Sequence, residues 1–259
     1  MLDALLTIAI GFALGVLIGL TGVGGGALVA PALYVVLGMT YTTAVAMSLV
    51  YSVFTKIVGF FQHLRLGNID WKLTFVYSAA AIPGAVIGAR ALYEARASER
   101  TFALGMALIL AAVALLIFAE AGVAALSTWK KPFDVTRLGA TAVVTISVLS
   151  FFVGILLGMT SVGSGSVIIL SMIFLFRLPA RVIVGSNIAI ALVMVVPAGL
   201  THVLVGGVDV RRLALLMTGS VLGTVLGSRG TSWLPDRHLK VVIALIVLLS
   251  AGATFVKAY

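Results

Sequence analysis

The sequence predicts an all-α polytopic membrane protein made of two inverted repeats. Each repeat is a Gly-broken helical hairpin followed by three transmembrane helices, or about eight transmembrane segments in all when each hairpin counts as one. Three observations predict this. First, of 259 residues 62% are hydrophobic and 10% are charged, with a mean hydropathy of +1.25, whereas a soluble domain carries about 25% charged residues. Too few charges remain to cover a globule of this size with polar surface, which excludes a soluble enzyme and a disordered chain. Second, the apolar residues fall into two series of five segments. Third, the second series repeats the first in its glycines and polar residues.

The first segment (4–22) starts without a basic flank and runs straight into Gly22-Val23-Gly24-Gly25-Gly26, so it reads as a membrane helix rather than a cleaved signal peptide. Segment 27–38 is too short to cross: a crossing takes about 20 residues at 1.5 Å each. It is expected to be a half-depth helix, joined to the first segment around the glycines. Segments 44–62, 73–92 and 102–119 are long enough to cross or nearly so. The second series follows the same plan: 138–160, a short 166–176, then 182–204, 212–233 and 239–256. The chain divides into a first repeat (1–120), a linker (121–137) and a second repeat (138–259), all within one membrane domain. In the linker, Trp129 beside Lys130 and Lys131 has the character of an interfacial anchor.

A constant shift of 139 residues superposes the halves. Gly15, Gly19, Thr21, Val23, Gly24 and Gly26 fall on Gly154, Gly158, Thr160, Val162, Gly163 and Gly165. His63, Gly67 and Asp70 fall on His202, Gly206 and Asp209, while Gly84, Gly88 and Arg90 fall on Gly223, Gly227 and Arg229. Shared apolar composition aligns Leu and Val by chance but not this set. Each hairpin returns the chain to its starting side and three crossings follow, so the second half is inverted relative to the first, the plan of many secondary transporters. Loop Arg and Lys are more numerous on the side of the central linker, which assigns that side to the cytoplasm and both termini to the outside.

The net charge of +9 comes from basic residues in short loops. It reads as orientation and contact with anionic lipid, not nucleic-acid binding. With no cysteine there is no thiol chemistry, and no Lys-Ser/Thr follows the glycines to make a phosphate loop. Nor is there a catalytic or metal-ligand cluster, so neither an enzyme nor a cofactor is expected. Monomer and homodimer both remain open.

The two breaks are the main candidates for a binding site: Thr21, Gly22, Gly24, Gly25 and Gly26, with Thr160, Ser161, Gly163, Ser164, Gly165 and Ser166. A helix starting after such a break offers free N–H groups and the positive end of its dipole to an anion. Short, Gly-interrupted segments at matching positions in two halves point to a transport site. The competing reading is that the glycines only let helices pack closely. Ser48 and Asn187 hold equivalent positions in the third helix of each half, either lining a cavity or bonding a neighbouring helix. Lys56 is the one basic residue well inside an apolar segment; its equivalent is Val195. It either faces an anion in a cavity or snorkels to the interface. His63 and His202 read as interfacial helix-end residues, with gating or a proton-linked role as the alternative. Asp70 and Asp209 read as helix N-caps. All eight carboxylates lie at segment ends or in loops, so the interior suits an anion better than a cation.

These motifs resemble the TauE/SafE family of sulfite and sulfonate exporters. The resemblance rests on Gly19 to Gly26 and its duplicate Gly158 to Ser166, on the helix ends His63 to Trp71 and His202 to Asp209, and on Pro83 to Arg90 with Gly223 to Arg229. It implies an integral membrane exporter of a small inorganic or organic sulfur anion, sulfite or an organosulfonate. The expected function is a plasma-membrane secondary transporter working by alternating access, with an anion channel or an uptake permease for a related anion as the alternatives. Many members carry Gly-Thr-Ser near the start of the third helix, where this chain has Ala46-Met47-Ser48 and Gly185-Ser186-Asn187.

Overall fold

A computed structural model describes residues 2–21, 25–94, 99–122, 133, 135, 138–163, 165–176, 178–205, 207–230 and 236–259. The described residues form ten helices and no strand. In the first half these are α1 (Leu2–Thr21), α2 (Gly26–Val35), α3 (Tyr41–Arg65), α4 (Trp71–Glu94) and α5 (Glu99–Gly122). In the second half they are α6 (Ala140–Thr160), α7 (Ser166–Leu175), α8 (Ala180–Leu204), α9 (Val210–Gly230) and α10 (Asp236–Ala258). The ten predicted segments match these helices one for one, with ends shifted by a few residues. Among the described residues, six helices are long and apolar enough to cross a membrane: Tyr41–Arg65, Trp71–Glu94, Glu99–Phe118, Ala140–Thr160, Arg181–Leu204 and Val210–Gly227. The described apolar stretches of α1 and α10 are shorter, Asp3–Gly19 and Ala244–Ala258. The protein is a polytopic membrane protein. Helices α2 and α7 are as short as expected, with 10 residues each, and so rise only about 15 Å. Their hairpin partners are longer than half a crossing: α6 alone spans 21 residues.

Both predicted N-caps are present. The Leu73 N–H donates to Asp70 Oδ1 at 2.9 Å, and the Arg212 N–H to Asp209 Oδ1 at 3.0 Å. Each carboxylate satisfies an N–H that the first turn of its helix leaves free.

Packing runs largely between the halves. Helix α1 lies on α9, α4 on α6, α5 on α10 and α3 on α8. The first two contacts are built on glycine. A Cβ on Gly11 would strike the Leu216 carbonyl, and one on Gly15 the Ser220 carbonyl. From α9, Gly219, Gly223 and Gly227 rest on the carbonyls of Ile8, Phe12 and Val16. The other pair repeats the arrangement: Gly84 and Gly88 sit on Phe151 and Ile155, and Gly154 and Gly158 on Ala81 and Ala85. Contact positions rise together along both helices, so each pair is parallel. Lipid gives no hydrophobic drive to helix association, and close backbone approach with its dispersion contacts supplies it instead. Helices α3 and α8 run antiparallel through the middle, with Gly59 against Ile188 and Gly199 against Val50 and Leu49. Ala44, Val45, Met47, Leu49, Ile190, Met194, Val195 and Ala198 from these two helices are fully buried.

Gly105, inside α5, has open space where a Cβ would stand. Gly105→Ala should therefore stabilise the protein by about 0.5–1 kcal/mol through chain entropy alone. Thermal unfolding in detergent should register a midpoint higher by about 1–4 °C; a lower midpoint would mean that the glycine has a packing role.

Candidate functional site

The two breaks meet. Gly26, the first residue of α2, lies against the Ser161 carbonyl, where a Cβ would collide. Gly25 lies against the Tyr51 ring, with room for no more than a hydrogen: a Cβ would stand 2.6 Å from Cε1. Helices α2 and α7 start after Gly25 and Gly165, which have no side chain to cap them. Their first N–H groups lack intrahelical acceptors and carry the positive dipole end. Gly25, Gly26 and Ala27 are buried, so at α2 this uncapped end is shielded inside the protein.

The second break is the better described. Helix α6 ends at Thr160, and Ser161 takes a left-handed conformation, φ 62°, which costs a non-glycine residue about 1–2 kcal/mol. Two bonds offset this: the Ser161 N–H donates to the Leu157 carbonyl at 2.7 Å, and its Oγ pairs with Ser48 Oγ at 2.9 Å. Gly163 follows at φ 110°, a conformation that favours glycine. Thr160 Oγ1 donates back to the Leu156 carbonyl at 2.6 Å and accepts the Val162 N–H at 3.1 Å.

Ser48 thus bonds across helices to the second break. One and two turns further along α3 are Ser52 and Lys56, on the same side of the helix at spacings of four. Ser52 Oγ is buried without a hydrogen-bond partner among the described residues. Lys56 is 8% exposed, so it is enclosed by protein and does not snorkel along the lipid surface. No hydrogen bond or ion pair reaches it among the described residues. Asn187 is 6% exposed, and its Oδ1 has no partner among the described residues. Gly22, Gly24 and Ser164 lie outside the described residues, and of Thr21 and Ser166 only the backbone is described.

Of His63 and His202, only His202 is enclosed rather than exposed at its helix end. His202 is 0% exposed, its Nε2 3.1 Å from the Gly158 carbonyl and its Nδ1 2.6 Å from the Tyr93 hydroxyl. A ring near a helix terminus is here covered by the packing of α4 and α6 on α8. His63 is half-buried, and its Nδ1 has no hydrogen-bond partner among the described residues.

Sequence reasoning missed the tyrosines. Tyr41 donates to the Met159 carbonyl at 3.0 Å, Tyr51 bonds Ser220 on α9, and Tyr77 pairs with Ser171 on α7 at 2.9 Å. The available signal was a hydroxyl inside an apolar segment, which must find a partner in lipid. It also assigned Gly11, Gly84, Gly88 and their kin no specific contact, although their four-residue spacing marks helix crossings.

A family model described as "Sulfite exporter TauE/SafE" matches residues 7–254. The chain is 35% identical over 251 residues to the Bacillus subtilis (strain 168) protein named "Probable membrane transporter protein YjnA", covering 94% of this chain and 96% of that one. It is 26% identical over 241 residues to "Probable membrane transporter protein YdhB" of the same organism, covering 93% and 96%. To "Probable membrane transporter protein YunE" it is 21% identical over 261 residues, covering 93% of each. No solved structure matches. With the ten-helix architecture and the paired breaks, the match over nearly the whole length means that this chain is a membrane transporter of the TauE/SafE family.

Proposed function

We propose that the protein is a plasma-membrane carrier, not an enzyme, that exports a small sulfur oxyanion, sulfite or an organosulfonate, by alternating access. One observation carries this reading: the uncapped N-terminus of α2 is buried in contact with the second break, where α7 begins. Two oriented dipole ends with free N–H groups suit an anion. Ser48, Ser161 and Asn187 add polar groups, and Lys56 supplies the positive charge. The eight carboxylates at segment ends and in loops leave the interior without a competing negative charge.

Alternating access is supported by the relation between the halves. Sequence-equivalent α3 and α8 run antiparallel, while α1 on α9 and α4 on α6 are reciprocal. Both features follow if the repeats are inverted about an axis in the membrane plane and rock about the site between them. Export of an anion is favoured by a negative interior, by about 2.3 kcal/mol per charge for each 100 mV.

Reconstituted protein should move labelled sulfite or sulfoacetate across a liposome membrane with saturable kinetics, and unlabelled anion on the far side should accelerate the flux. A conductance without such counterflow would indicate a channel. Absence of flux for sulfite, thiosulfate and sulfoacetate alike would reject the substrate class.

A further inference from the structure

We propose that His202 is the positioning residue of the second break, holding the end of α6 so that the Ser161 turn keeps the shape that receives the anion. The inference rests on the reading of the breaks as the anion site. The Gly158 carbonyl can only accept, so His202 Nε2 carries the hydrogen and donates to it at 3.1 Å. In this tautomer Nδ1 accepts from the Tyr93 hydroxyl at 2.6 Å, and the rings of Tyr93 and His202 lie 5.2 Å apart.

Gly158 is one of the last residues of α6, whose carbonyls run out of helical donors. Three of these ends are accounted for. The Leu157 carbonyl takes the Ser161 N–H, Gly158 takes the His202 ring, and Met159 takes the Tyr41 hydroxyl. The helix is therefore stopped by side chains from α3 and α8, the latter fixed in turn by α4. Ser161 follows two residues after Met159, and its left-handed turn depends on where α6 stops. The bond is buried, and a buried carbonyl that loses its donor stays unpaired and costs its full desolvation penalty. The α6 end then frays or winds on to find another partner, and the turn moves with it. The role requires no change in the protonation of the ring. His63, at the equivalent position of the first half, has a buried Nδ1 with no partner among the described residues, so a ring bonded at both nitrogens is described here for the second break.

The full chain in proteoliposomes tests this with two variants and two readouts. His202→Gln retains an N–H donor and an oxygen acceptor, whereas His202→Leu retains bulk and removes both. With His202→Leu, backbone hydrogen exchange over residues 157–163 should accelerate, and KM for labelled sulfite should rise about tenfold, the expected effect of orphaning one buried acceptor. Maximal flux should change much less. His202→Gln should restore both readouts to within about twofold of wild type. If His202→Leu does not fold, Tyr93→Phe, which removes only the hydroxyl on Nδ1, should give a smaller shift of both readouts in the same direction. Unchanged exchange at the break would overturn the proposal, as would faster exchange with an unchanged KM or a Gln variant no better than Leu. If the wild-type protein moves no sulfur oxyanion, faster exchange in His202→Leu and its reversal in His202→Gln still support the positioning of the break, and the substrate reading alone fails.

Discussion

Gly223→Val is expected to abolish the folded protein. Residue 223 faces α1, where a Cβ would collide with the Phe12 carbonyl and stand 2.8 Å from the Val16 nitrogen. These are backbone atoms of a packed helix, and no rotamer change moves them aside. To admit even one methyl, α1 and α9 must separate along a contact that Gly11, Gly15, Gly219, Gly223 and Gly227 all share. Overpacking typically costs about 1–3 kcal/mol where side chains can adjust, and more is expected where a backbone must retreat. Separation also forfeits the close dispersion contacts that hold helices together in lipid. Against a total stability of about 5–15 kcal/mol, two γ-methyls beyond the Cβ should exceed what the pair tolerates. Size-exclusion chromatography in detergent should lose its monodisperse peak. Gly105→Ala, at a position with open space, is the control that must keep it. A well-folded Gly223→Val protein would mean that the α1–α9 contact is looser than described.

Lys56→Met should separate stability from transport. The ammonium is buried and has no hydrogen bond or ion pair among the described residues. An unpaired buried charge costs several kcal/mol even after relaxation, so an apolar side chain of similar length should leave the protein as stable as before or more so. If Lys56 is the counter-charge of the bound anion, the same change removes a charge-assisted interaction of about 1.5–3 kcal/mol. KM for sulfite should then rise at least about tenfold, with Lys56→Arg retaining more activity than Lys56→Met. The two readouts should move in opposite directions: thermal midpoint level or higher, transport lower. Transport at the wild-type level in Lys56→Met would remove Lys56 from the site and leave the oriented N–H groups as its source of positive potential.

How far the site was legible depended on whether a residue's role is local. Asp70 and Asp209 could be read as N-caps because a carboxylate just before an apolar run meets the N–H groups of its own helix. The short α2 and α7 were legible because segment length against membrane thickness is arithmetic. His202 was not legible. It has the same sequence setting as His63, near a helix end before a loop, yet it is enclosed and bonded at both nitrogens. What distinguishes it is Tyr93, a residue 109 positions away. Glycine was ambiguous for the same reason. Gly25 and Gly26 stand at a break and Gly84 and Gly88 at a crossing, but the residue type only permits close approach. What approaches is set by another helix.

By itself the sequence determined the solvent, the number and lengths of the helices, the duplication and the family resemblance. All of these follow from composition, from segment length and from a shift of 139 residues. Only the tertiary structure decided that the second break touches Gly26, that Ser48 bonds Ser161, that Lys56 is enclosed by protein, and that His202 and Tyr41 bond the last carbonyls of α6. Each of those depends on which helices become neighbours. In lipid, where apolar surface gains little by leaving the solvent, that choice falls to shape and to polar pairing between segments far apart in the chain.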